Sequence, residues 1–140
     1  MKAYEEISND SLTLIPLCNG HSESYQLVKN YSTGRQWAEK ALSIATRFKN
    51  QKEKSRALKN LGSSLSGQGQ KEEAEAYFNQ ALEQLPKKEL DMDRIKLEIL
   101  NARLKNRFRG DDQAVYGAFR ETFDTVFNHQ KANAIENARI

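Results

Sequence analysis

ALKNLGSSLSGQGQKEEAEAYFNQALEQLP, residues 57–86, reads as two short amphipathic helices joined by a glycine-containing turn and closed by a proline. Leu58, Leu61 and Leu65 recur at helical spacing and so share one face. Gly62 falls on that same face. Glycine inside a helix costs about 1 kcal/mol against alanine, so its place there predicts a neighbouring helix too close for a Cβ. Gly67 and Gly69 then end the first helix. The second runs from Lys71 to Gln84, with Ala74, Tyr77, Phe78, Ala81, Leu82 and Leu85 on one stripe. Glu72 and Glu73 in its first turn favour the helix dipole, and Pro86 stops it.

Small residues (Gly62, Ala74, Ala81) alternate with large ones (Leu58, Leu65, Phe78), so side chains of one helix enter gaps in its partner. This stretch resembles a tetratricopeptide repeat, a helix–turn–helix unit of about 34 residues. Leu58, Leu61, Gly62, Leu65, Ala74, Phe78, Ala81 and Pro86 match the family's eight signature positions. Leu58 stands where tryptophan is commonest, and Lys71 where an aromatic is common. The resemblance implies an all-α solenoid: about three antiparallel helix pairs stacked in a right-handed superhelix. It also implies a non-catalytic module that binds a peptide segment of a partner, in a concave groove lined by the first helix of each pair. Carried onto this repeat, the groove positions are Arg56, Lys59, Asn60, Ser63 and Ser66. Some family members clamp a C-terminal carboxylate with paired lysines and asparagines. Asn60 matches one such position, but Tyr25 stands where the first repeat's lysine belongs.

Working outward, residues 22–49 form a weaker copy. Ser22 is the expected N-cap, Tyr25, Leu27, Val28 and Tyr31 the apolar positions, and Ser32-Thr33-Gly34 the turn. A helix from Arg35 to Lys49 then repeats the later pattern 36 residues ahead: Ala38 for Ala74, Leu42 for Phe78, Ala45 for Ala81. Leu27 and Tyr31 precede Leu61 and Leu65 by 34. Such self-similarity marks a stacked array. Trp37 is read as a packing residue in the turn.

Beyond Pro86 the periodicity predicts a third, degenerate pair. Asp91 or Asp93 caps a helix reaching about Phe108, with one stripe at Ile95, Ile99 and Ala102 and another at Leu97, Leu100, Leu104 and Phe108. Two stripes mean neighbours on two sides. Gly110-Asp111-Asp112 is the turn and next cap, and Val115, Phe119, Phe123, Val126 and Phe127 form the last stripe. The chain therefore divides into an arm or partial helix at 1–21, where Asn9-Asp10-Ser11, Pro16 and Asn19-Gly20 break the pattern. A helical repeat domain follows at 22–130 (pairs at about 22–49, 52–86 and 90–130), then an extension or tail at 131–140. Each large anchor contributes roughly 1.5–3 kcal/mol on burial, so one pair alone hides too little and stacking decides stability.

A chain of 140 residues is long enough for one domain with a core. Charged residues make up 29% and mean hydropathy is −0.81, which fits a well-solvated surface. One cysteine allows no internal disulfide. No run nears the ~18 apolar residues of a membrane span, and the acidic start lacks the apolar region of a signal peptide. These features predict a cytoplasmic protein.

Catalytic, metal and cofactor signals are not expected. Cys18 and His21 are three apart, but no second ligand pair follows. Gly67-Gln68-Gly69 follows a helix, not a strand, and lacks a phosphate-loop pattern. Charge is uneven. Residues 47–59 carry six basic side chains and one acid, residues 94–109 again six and one, and residues 60–93 seven acids against three lysines. A groove floored by Arg56, Lys59 and Asn60 suits an acidic peptide or chain terminus. The alternative is nucleic-acid binding through stretches 47–59 and 94–109, which requires them to merge on one face. Few aromatics accompany them, which weakens it. A third reading is self-assembly, with the last helix docking on another copy.

Overall fold

The computed structural model describes residues 11–86 and 92–138. Over these the chain forms helices α1 (Ser11–Leu27), α2 (Tyr31–Arg47), α3 (Gln51–Gly67), α4 (Lys71–Gln84), α5 (Met92–Arg107) and α6 (Asp112–Ala138). No strand occurs among the described residues. Residues 1–10 of the expected N-terminal arm and the cap at Asp91 lie outside them.

Helices α2, α3 and α4 begin at residues 31, 51 and 71, a beat of 20. One turn geometry, used three times, sets that beat. The N–H of Asn30 donates to Tyr25 O at 2.8 Å, that of Asn50 to Ala45 O at 2.9 Å, and that of Gln70 to Leu65 O at 2.9 Å. These six-to-one bonds close each helix with a left-handed residue just before the donor. That residue is Lys29 (φ 63°), Lys49 (φ 55°) and Gly69 (φ 85°). Asn30 and Asn50 then cap the next helix, accepting from Thr33 N and Glu53 N. Gln70 makes no such bond. At the far end of α4, Leu85 is extended (φ −68°, ψ 124°), as the residue before a proline must be.

The first pair is longer and differently registered than the sequence pattern suggests. It begins at Ser11, not Ser22, and α1 runs through Pro16 and Gly20 without ending. Ile15, Cys18, Asn19 and Ser22 form its buried stripe. Ser22 is therefore no cap: it sits in mid-helix and donates to Gly34 O at 2.6 Å. Gly34 lies inside α2, not in a turn, and a Cβ there would meet Ser22 O at 3.2 Å. Trp37 likewise lies on α2, half-buried against His21 with ring centroids 4.7 Å apart. Leu27 is 85% exposed and Tyr31 opens α2, so neither corresponds to Leu61 or Leu65. At the 40-residue offset, Gly34, Ala38 and Ala41 match Ala74, Phe78 and Ala81, and all six are buried.

Packing explains the alternation of sizes. Gly62 is buried where the Phe78 ring crosses it; an added Cβ would stand 2.7 Å from Cε1. Ile15, Cys18, Ala41, Ile44, Ala45 and Ala57 join α1, α2 and α3. Leu58, Ala81, Ile95 and Ile99 join α3, α4 and α5. Each helix packs on the next, and α3 also touches α1 and α5. By contrast, among the described residues the backbones of α2 and α4, and of α4 and α6, stay apart. Odd helices in contact and even ones apart make a bent stack with α1, α3 and α5 on its inner side.

In the third pair α5 ends at Arg107, close to the expected Phe108, but Asp93 lies inside it instead of capping it, and Phe108 and Phe123 of the expected stripes are exposed. Ile95 and Ile99 are buried while Leu97, Leu100 and Leu104 are half-buried, so α5 does carry two stripes. Gly110 is left-handed (φ 88°), and Asp111 accepts from Ala114 N at 3.0 Å as the cap of α6.

Candidate functional site

The inner face of the bend holds an open groove of about 600 Å³. Its walls are Glu23, Gln26 and Leu27 of α1 and Asn101, Ala102 and Lys105 of α5. Lys59, Ser63 and Ser66 of α3 form its floor, and Phe108 and Val115 close one end. Helical spacing puts Lys59, Ser63 and Ser66 on one line down α3. Three of the five side chains expected from sequence thus reach the groove.

Arg56 and Asn60 do not line it. Both belong to a polar network between α1 and α3. Arg56 grips the Glu23 carboxylate side-on, Nε to Oε2 at 3.0 Å and a terminal nitrogen to Oε1 at 2.5 Å. Its other terminal nitrogen donates to Glu53 at 3.1 Å. Lys59 Nζ and Asn60 Nδ2 reach the same Glu23 Oε2 at 3.2 and 3.3 Å. Asn60 also donates to Asn19 Oδ1 at 3.1 Å, and Asn19 to Glu53 O at 3.2 Å. Asn19 and Asn60 are wholly buried, so these bonds are what make their burial tolerable.

Burial raises the Glu23 pKa, but the Arg56 hydrogen bond and the Lys59 and Arg56 charges outweigh it and hold the carboxyl below its usual range. For Arg56, burial works against the charge, and the bond and charge of Glu23, with help from Glu53, more than reverse that. The cations expected to meet an acidic ligand are therefore already neutralised from within. Lys59 also lies 3.9 Å from Glu98 on the opposite wall.

What remains for a ligand is mostly uncharged. Among the described residues, the Asn101 amide and the Lys105 ammonium have no partner within the chain, and Leu27 and Phe108 (41% exposed) offer apolar surface at the rim. Sequence reasoning missed Gln26, Asn101 and Lys105. Asn101 and Lys105 are four apart on α5, and that spacing was the one available signal.

The basic stretches meet only in part: Lys59 of the first and Lys105 and Arg109 of the second line the same groove. Arg56 and Lys59 face α1, whereas Arg47 stacks on Phe48 at 5.5 Å. In the second stretch Arg107 pairs with Glu75, and Arg103 donates to Asn79 at 3.0 Å. Arg109 donates to the Ser66 and Gly67 carbonyls, complementing the C-terminus of α3. Cys18 is buried, and burial pushes its thiol pKa up, with Lys40 opposing; His21 lies outside against Trp37. Among the described residues no group of three or more His, Cys, Asp or Glu is placed to hold a metal, and no helix is long and apolar enough to cross a membrane.

A family model described as tetratricopeptide repeat matches residues 12–87, just over half of the chain. No curated protein and no solved structure matches the chain significantly.

Proposed function

The chain belongs to the tetratricopeptide repeat family, and on that footing we propose that its concave groove holds a peptide segment of a partner protein without catalysing a reaction on it. Repeats of this family generally mediate protein–protein interaction and are generally non-catalytic. The observation that carries the reading is the groove itself. Three consecutive inner helices converge on it, and its floor and walls present hydroxyl and amide groups beside apolar rim residues. Lys59, Ser63 and Ser66 are the contact residues on α3, with Gln26 and Asn101 flanking them; Arg56 and Asn60 act from behind by fixing Glu23.

Charge narrows the class of ligand. Glu23, Glu98 and Asp112 face Lys59, Lys105 and Arg109 around the cavity, three acids against three bases. Such a lining favours an uncharged or mixed-charge segment, its main chain hydrogen-bonded by Asn101 and Gln26 and one apolar side chain held near Leu27 and Phe108. Among the described residues lining the groove, an acidic segment would find one cation without a partner, Lys105.

Selection of displayed random peptides tests this. Peptides enriched on the wild type are expected to lose binding at least tenfold on Ser63→Trp, which fills the floor, and to keep it on Gln80→Trp, whose site on α4 is exposed outside the groove. Equal binding by Ser63→Trp, or enrichment of acidic peptides, overturns the reading.

A further inference from the structure

Four hydrogen bonds converge on one carboxylate, and all of their donors come from a single helix. Arg56, Lys59 and Asn60 stand at i, i+3 and i+4 of α3, hence side by side. They engage both oxygens of Glu23 at 2.5 to 3.3 Å. The donors are also held by groups other than Glu23. Glu53 fixes the far side of the Arg56 guanidinium at 3.1 Å, and Asn19 fixes the Asn60 amide at 3.1 Å. A side-on guanidinium with a flanking ammonium and amide is the geometry that recognises a carboxylate in general. The Arg107–Glu75 pair is unlike this, since no ammonium or side-chain amide joins it there.

We propose that Arg56, Lys59 and Asn60 form a preorganised carboxylate-binding cradle beside the groove, and that Glu23 of α1 is its resident occupant. Glu23 is thereby a specificity-determining residue. While it fills the cradle, the site refuses carboxylates from outside; without it, the site takes them. The cradle also explains how the Lys59 charge on the groove floor is balanced. The discrimination against acidic segments rests on the groove reading given above, whereas the cradle does not, and a small carboxylate probes the cradle alone.

The experiment is rescue of Glu23→Ala by sodium acetate, read as the thermal midpoint. The variant removes the carboxylate and leaves room for one. Its midpoint is expected to fall and to recover saturably with acetate, as for a ligand that binds the folded chain alone. Sodium chloride at equal ionic strength is expected not to restore it. Wild type and Glu23→Gln, whose cradles are filled, should show no acetate-specific rise. Absence of recovery, recovery by chloride, or an equal rise in Glu23→Gln overturns the proposal. If Glu23→Ala does not fold, NMR of the wild type decides. The Arg56 Nε–H should be slow to exchange and shifted by its bond to Glu23, and a signal like that of a free guanidinium overturns the cradle. Loss of groove binding in Ser63→Trp with acetate rescue intact would separate the two readings.

Discussion

Replacing Gly62 by alanine adds one methyl group where the Phe78 ring of α4 crosses α3. Its Cβ would stand 2.7 Å from Cε1 of Phe78 and 2.9 Å from Cδ1 and Cζ. Carbon atoms sit comfortably at about 3.5–4.0 Å, so the overlap is close to an ångström against the broad face of a ring. The ring has nowhere to go: Phe78 is wholly buried and packed among Leu65, Ala74, Tyr77 and Ala102. Overpacking of a tight core costs about 1–3 kcal/mol, and this geometry belongs in the upper half of that range. Alanine recovers about 1 kcal/mol through its better helix propensity. The net effect is a loss of about 1–2 kcal/mol, or a midpoint lowered by about 2–8 °C for a chain of this size. Urea unfolding followed by helical circular dichroism measures it, provided the slope of the transition stays constant. A double-mutant cycle isolates the cause. In a Phe78→Leu background the overlap is relieved, and Gly62→Ala should become neutral or stabilising, a coupling of about 1–3 kcal/mol. The reasoning fails if Gly62→Ala raises stability in the wild type, or if its effect is the same in both backgrounds.

Two further outcomes follow from the turns and from the α1–α3 network. Lys49 holds a left-handed conformation (φ 55°) without being glycine, a strain of about 1–2 kcal/mol; Lys49→Gly should stabilise by about 0.5–1 kcal/mol after the entropy of the unfolded glycine is counted, and an unchanged urea midpoint would contradict this. Because the Glu23 pKa is lowered in the folded chain, the unfolded chain binds the proton more readily. The contribution of Glu23 is complete above the unfolded-state value and is lost as pH falls through the folded one. A urea-midpoint titration should therefore show a loss on the acid side of the ordinary glutamate range that is absent in Glu23→Gln; identical acid limbs would refute it.

The second pair was readable from sequence because its buried face is built of leucine, alanine and phenylalanine at regular spacing. α4 runs from Lys71 to Gln84 in the sequence pattern and in the structure alike. The first pair was misread for a physical reason. Half of the buried stripe of α1 is polar, Asn19 and Ser22 beside Ile15 and Cys18, so no apolar period marks it. Pro16 and Gly20 add apparent breaks in a helix held by its neighbours. Lys29 gives no sign of a left-handed turn, while Gly34 imitates one although its role is close approach to Ser22. The same polar stripe hid the site's electrostatics. Arg56, Lys59 and Asn60 were placed together by spacing along α3, but Glu23 lay in a segment assigned to the wrong register, so the acid that neutralises them went unseen.

The two walls of the groove are held apart by α3. Among the described residues the backbones of α1 and α5 stay apart, and each leans separately on α3. The inner face therefore works like a book whose covers meet only at the spine. Any partner lodged between the covers sets how wide the volume stands open, and the binding along α3 must carry that information from one cover to the other. One cover is held at the spine by the ionic knot around Glu23 together with Ile15, Cys18 and Ala57, the other by Leu58, Ile95 and Ile99 together with the Lys59–Glu98 pair.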